Sequence, residues 1–150
     1  MRNELTTVAI ACIGLLGIAS PASAQMLSAT RAVIAIVADD LYVGQAVGHL
    51  NGAGTLAIHA QRNPAVTCTG EFTSSAALGG SGQLQCSDGS VATFQFKRLT
   101  AFTGHGVGSF GGGALSFVYG LSATDAAPYL TLPEGKKLMG NGSELALADL

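Results

Sequence analysis

The chain has 150 residues, 48% of them hydrophobic and only 11% charged, with 7 Lys or Arg against 9 Asp or Glu for a net charge of −2. Nucleic-acid binding depends on clustered cations meeting phosphates, and adjacent cations occur here only at Lys97-Arg98 and Lys136-Lys137. Nucleic acid is therefore excluded as an expected partner, and the same shortage argues against electrostatic docking on acidic lipid.

Residues 1–24 read as a secretory signal peptide. Arg2 precedes an apolar run from Val8 to Ile18, and Pro21 leads into the small-residue site Ala22-Ser23-Ala24. The run is 11 residues long, about half of what a membrane-spanning helix needs. The mature chain is expected to begin at Gln25, to carry no transmembrane span and to reside in the periplasm or outside the cell. Its length suffices for one domain, expected over residues 25–138. Export also places the two cysteines left after cleavage, Cys68 and Cys86, in an oxidising compartment where an even pair bridges. Closing a loop of that length contributes about 3 kcal/mol in the chain-entropy view.

Strand patterns run from about residue 31 to 121. "TLAIHA" sets Leu56, Ile58 and Ala60 against Thr55, Ala57 and His59. "VTCTGEF" sets Val66, Cys68, Gly70 and Phe72 against Thr67, Thr69 and Glu71, and "GSGQLQC" sets Gly82, Leu84 and Cys86 against Gln83 and Gln85. Period-two alternation of this kind marks half-buried strands, and it turns both cysteines toward the apolar side. "ATFQF" and "ALSFVYGL" continue the pattern with Phe94, Phe96, Phe117 and Tyr119. Turn residues separate the runs: Asp39-Asp40, Asn51-Gly52, Arg62-Asn63-Pro64, Gly79-Gly80, Ser87-Asp88-Gly89 and Gly111-Gly112-Gly113. Short connections favour an antiparallel order over crossover helices. Beyond Leu121, Ser122 or Thr124 caps a short helix or turn that tolerates Pro128 early. Leu130, Leu132 and Leu138 are expected to cover an open sheet end, and residues 139–150 to form a flexible tail.

Glycine-x-glycine pairs start at Gly52, Gly80 and Gly104. Alternating glycines strip one strand face of side chains, so that a bulky residue of the neighbouring strand can lie across the backbone, or they permit a bulge. The stretches "YVGQAVGHLNGAG", "CTGEF" followed by "GSG", and "CSDGSVATFQF" resemble the MORN repeat, a glycine-rich β-hairpin unit, over residues 42–110. Cys68 stands where that repeat carries tyrosine and Phe94 where it carries glycine. The resemblance implies a hairpin array serving as a scaffold or contact surface, without catalytic residues. The expected fold is thus all-β, a small antiparallel meander or hairpin-repeat sheet, with a small closed barrel or sandwich as the alternative.

Catalytic patterns are incomplete. Ser81 and Ser109 lie among glycines, but Gln83 and Val107 occupy the places a nucleophile elbow gives to glycine. "GVGSFG" at 106–111 is followed by another glycine turn where a dinucleotide site needs a helix. Asp39 and Asp40 are adjacent, which suits a solvated turn better than an acid and base held apart. Imidazole is the commonest metal ligand, and His59 and His105 both fall opposite the bulky residues of their segments, which makes a shared surface metal site one candidate. No cofactor is expected. The leading functional expectation is an exported, non-enzymatic structural or protein-interaction module that meets a protein partner through Glu71, Gln83 and Gln85. The alternative is a small-ligand or metal-binding periplasmic protein.

Overall fold

The structure, a computed structural model, describes residues 27–75 and 77–150. The signal-peptide reading of residues 1–24 lies outside the described residues. Eight strands succeed one another along the chain: β1 (Ser28–Val37), β2 (Asp40–His49), β3 (Ala53–Ala60), β4 (Thr67–Ser75), β5 (Gly79–Cys86), β6 (Val91–Arg98), β7 (Gly104–Phe110) and β8 (Gly113–Tyr119). Each pairs antiparallel with the next, and β8 returns to β1 with Val33 opposite Tyr119 and Val37 opposite Leu115. The all-β chain therefore takes the closed form among the expected architectures, an up-and-down barrel without free edges.

The period-two pattern explains which residues enter the barrel. Leu56 and Ile58 of β3, Cys68 of β4, Leu84 of β5, Phe94 and Phe96 of β6, and Leu115 and Phe117 of β8 form one buried cluster. The glycines stand in the same inward rows, directly opposite rings. Gly54 and Gly82 flank Phe72, Gly82 and Gly108 flank Phe94, Gly80 and Gly106 flank Phe96, and Gly104 faces Tyr119. A Cβ added to Gly82 would come 2.5 Å from Cζ of Phe94 and 2.9 Å from Cβ of Phe72. The inward strand glycines are thus sockets for aromatic side chains, one of the two uses expected of alternating glycines, whereas Gly52 is a turn residue at φ 87° packed on the Ser74 backbone. Freed in this way, the rings meet edge to face: Phe72 and Phe96 at 5.6 Å, Phe94 and Phe117 at 5.3 Å, Phe96 and Tyr119 at 5.9 Å. Such pairs contribute about 0.5–1.5 kcal/mol each beyond the area they bury.

The C-terminal segment packs on the outside of the barrel. A helical turn α1 (Ala123–Ala126) starts at Ser122, whose hydroxyl accepts from the Asp125 amide. A 3-10 turn over Ala127–Tyr129 then carries Pro128 near its start, where the missing N–H is harmless. β9 (Lys136–Met139) and β10 (Ala146–Asp149) close a separate hairpin. Two sequence expectations are corrected here. Leu130, Leu132 and Leu138 do not cover an open sheet end; with Leu145 they cover the outward side chains Ile34, Ile36, Leu41 and Val118 of β1, β2 and β8. The segment 139–150, expected to be a flexible tail, holds Met139 of β9, a 3-10 turn over Gly142–Glu144 and strand β10, and buries Leu145 to 3% exposure. Gln61 fastens it, donating from Nε2 to the carbonyls of Ser143 and Leu145 at 3.0 Å each.

Candidate ligand-binding cavity

The two ends of the barrel differ. At one end Cys68 and Cys86, directly opposite each other on β4 and β5, form a disulfide, and buried Tyr42, Ala60 and Ala92 fill the space around it. The connections there, Ala38–Asp39, Gln61–Val66, Ser87–Ser90 and Gly111–Gly112, are mostly polar or small. At the other end the connections and the residue leading into β1 carry large apolar side chains into solvent: Leu27 at 70% exposure, Leu50 at 77%, Leu78 at 80% and Phe102 at 53%. That end opens into a cavity of about 660 Å³ that reaches inward past Phe72 and Phe96 to Leu56, Phe94 and Phe117. The same glycine rows that seat the rings keep this lumen free of further side chains.

Polar groups gather near the mouth. Arg98, the last residue of β6, donates from Nε to the Ser75 carbonyl at 3.1 Å, from Nη1 to the Ala101 carbonyl at 3.0 Å and from Nη2 to the Ser74 hydroxyl at 2.8 Å. A guanidinium has five N–H groups, so two of them have no acceptor among the described residues. Arg31 lies over the Phe102 ring at 4.5 Å from its centroid, a cation-π contact that sets this cation at the rim. Arg98, Gly104 and Tyr119 stand in one register row across β6, β7 and β8. The Tyr119 hydroxyl is buried without a hydrogen-bond partner among the described residues. Burial raises its pKa while the Arg98 charge pulls it down, so the phenol stays protonated and able to donate at neutral pH. Arg31 and Arg98 line the cavity, and among the described residues no Asp or Glu does so.

The residues singled out from the sequence lie elsewhere. Glu71 and Gln83 are paired neighbours in an exposed row that runs from Thr55 through Glu71, Gln83 and Thr93 to Ser109, and Gln85 stands beside them opposite Thr69. This outer row lines a shallow groove. His59 and His105 do face outward, but β3 and β7 are four strands apart around an eight-stranded closed barrel, so closure sets them on opposite sides. His105 stacks on Tyr129 at 4.5 Å, and among the described residues no group of three or more His, Cys, Asp or Glu comes together to hold a metal ion. A shared His59 and His105 metal site is therefore not formed. Sequence reading missed Arg31, Arg98, Phe102 and Tyr119 as a group; the available signal was that Arg98 breaks an otherwise apolar inward row after Phe94 and Phe96.

Fold and cavity together define a small up-and-down barrel with an apolar lumen open at one end. Comparisons with protein-family models, with curated proteins and with solved structures found no match for this chain. No helix among the described residues is long and apolar enough to cross a membrane. Its outward positions on β4 to β7 are largely Thr, Ser, Gln, Glu and Lys, whereas a lipid-facing barrel carries its apolar band outside and its polar groups within.

Proposed function

We propose that this protein is an exported, non-enzymatic binding protein that holds a small, largely apolar ligand inside its barrel. The observation that carries the reading is the 660 Å³ lumen, within the roughly 300–1,000 Å³ range of small-molecule sites. It is walled by aliphatic and aromatic side chains and has a few polar groups at one end, the usual division between affinity and orientation. The apolar rim of Leu27, Leu50, Leu78 and Phe102 suits uptake from another apolar surface. The Cys68–Cys86 bridge is compatible with an oxidising, exported location.

The test is titration of the oxidised mature chain with an uncharged apolar fluorophore such as N-phenyl-1-naphthylamine. Saturable one-site binding is expected, and Ala46→Trp, which fills the lumen from β2, should remove it while the fold persists. Absence of saturable uptake by the folded parent protein overturns the proposal.

A protein-contact role for the outer face is the second reading, favoured by the nearly uncharged row from Thr55 to Ser109 that contains Glu71 and Gln83 and runs beside Gln85. Under that reading, crosslinking in the native envelope captures a partner, and changing Glu71, Gln83 and Gln85 together abolishes the capture. Capture unaffected by those changes removes the reading.

A further inference from the structure

We infer that the ligand is a single-chain amphiphile with an anionic head, its tail in the lumen and its head at Arg98, Tyr119 and Arg31. The inference rests on the proposal that the lumen is the binding site and adds the chemistry of the ligand.

Three observations converge on the head group. Among the described residues the cavity lining bears two permanent cations and no carboxylate, so a negative head finds attraction there and a positive one meets repulsion. Arg98 is already oriented by Ser74, Ser75 and Ala101, and two of its N–H groups lack acceptors among the described residues. A preset guanidinium with spare donors favours a carboxylate or phosphate oxygen, because little ordering is left to be done on binding. The third observation is the unpartnered Tyr119 hydroxyl, in the same register row as Arg98 with only Gly104 between them. A buried donor without an acceptor is costly unless a ligand supplies one. Gly104 matters to this arrangement, since a Cβ there would fall onto the Tyr119 hydroxyl.

The tail is placed by the same geometry. Beyond the Arg98 row the lumen is lined by Leu56, Phe72, Phe94 and Phe117, and the disulfide end is filled, so an inserted chain runs among apolar side chains of the described residues. Two permanent charges also keep the head where water and the rim cation Arg31 can reach it. A fully apolar ligand would leave the Tyr119 hydroxyl unsatisfied.

The test compares four probes of equal chain length, dodecanoate, dodecyl phosphate, dodecan-1-ol and dodecyltrimethylammonium, by displacement of the bound naphthylamine fluorophore and by calorimetry. The anionic probes should bind at least tenfold more tightly than the alcohol, and the tighter of the two identifies the head as carboxylate or phosphate. Arg98→Gln should lower dodecanoate affinity about tenfold or more and leave dodecan-1-ol unchanged. Arg31→Gln and Tyr119→Phe serve as well if Arg98→Gln does not fold, because neither removes a hydrogen bond across the barrel. Arg31→Gln should weaken only the anionic probes; Tyr119→Phe should weaken dodecanoate without lowering the melting temperature of the ligand-free protein. Equal affinity for the alcohol and the anionic probes, or preference for the ammonium, overturns the anionic assignment while the lumen remains the site. Failure of the fluorophore itself to bind overturns the underlying proposal instead.

Discussion

Replacing Gly82 by alanine, alone and with Phe94→Leu, tests whether the inward glycines make room for the neighbouring backbone and rings. Gly82 lies between Phe72 on β4 and Phe94 on β6, and the new methyl would overlap the Glu71 carbonyl oxygen and approach Phe94 at 2.5 Å and Phe72 at 2.9 Å. Extra volume in a filled core costs about 1–3 kcal/mol, and with both cross-strand neighbours blocked the upper end applies. Alanine recovers about 0.5–1 kcal/mol of backbone entropy relative to glycine. The net loss of about 2 kcal/mol corresponds, in a domain of this size, to a melting temperature lower by about 8 °C. Thermal unfolding followed by circular dichroism under non-reducing conditions measures it. Gly112→Ala is the control, because a Cβ there meets nothing within 4 Å; it should leave the melting temperature within about 2 °C, by the ~0.5 kcal/mol bound on neutral surface changes. Phe94→Leu in the Gly82→Ala background should restore part of the loss. The rings can retreat only toward the lumen, so Gly82→Ala should also reduce uptake of the apolar fluorophore. A Gly82→Ala protein that melts with the parent refutes the reasoning.

Leu145→Ala should destabilise the protein by about 2–4 kcal/mol, the cost of truncating a well-buried leucine, and should raise hydrogen exchange in β9 and β10 before that in β4 to β6. Reducing Cys68–Cys86, whose partners are 18 residues apart, should lower unfolding free energy by about 3 kcal/mol in urea titrations with and without reductant; an unchanged midpoint refutes the estimate. Burial raises the pKa of both Tyr42 and Tyr119 above the ordinary 10.0. The unfolded chain then releases these protons at lower pH than the folded one, so their contribution is complete below about pH 10 and is lost as pH rises through the folded values. Tyr42→Phe and Tyr119→Phe should each flatten the fall in melting temperature above about pH 10, and an unaltered slope in both would contradict the assignment.

Much of the barrel wall was legible because its chemistry repeats every second residue. The alternation in "VTCTGEF" and "GSGQLQC" was enough to face Cys68 toward Cys86 and to put Glu71, Gln83 and Gln85 together on the outside. The same reasoning turned His59 and His105 outward correctly yet joined them wrongly, since alternation reports the face of a strand and not its position around a ring. Closure itself depends on β1, where "RAVIAIV" is apolar on both sides: Val33 and Ala35 face the lumen, and Ile34 and Ile36 face the C-terminal segment. No period-two signal survives such a run. The leucines that cover it are spaced through turns at 130, 132, 138 and 145, so they form a stripe only after the chain has folded back. A cavity is harder still, being volume left unfilled; its trace in the sequence was the glycine rows, and its polar mouth was drawn from Arg31, Arg98 and Tyr119 on three different strands.

The seam between β1 and β8 has a consequence for assembly. Every other strand pair of the barrel is a local hairpin that forms soon after its residues are available, whereas Val33 must wait for Tyr119. Contacts of such long sequence separation slow folding far more than they change stability. Until the last strand arrives, the growing sheet has two bare edges and an uncovered stripe of Ile34, Ile36 and Leu41, the combination that invites pairing with other copies. The interval before closure, rather than the finished barrel, is when the chain is most exposed to aggregation and proteolysis. A chain cut short before Gly113 would remain in that interval permanently.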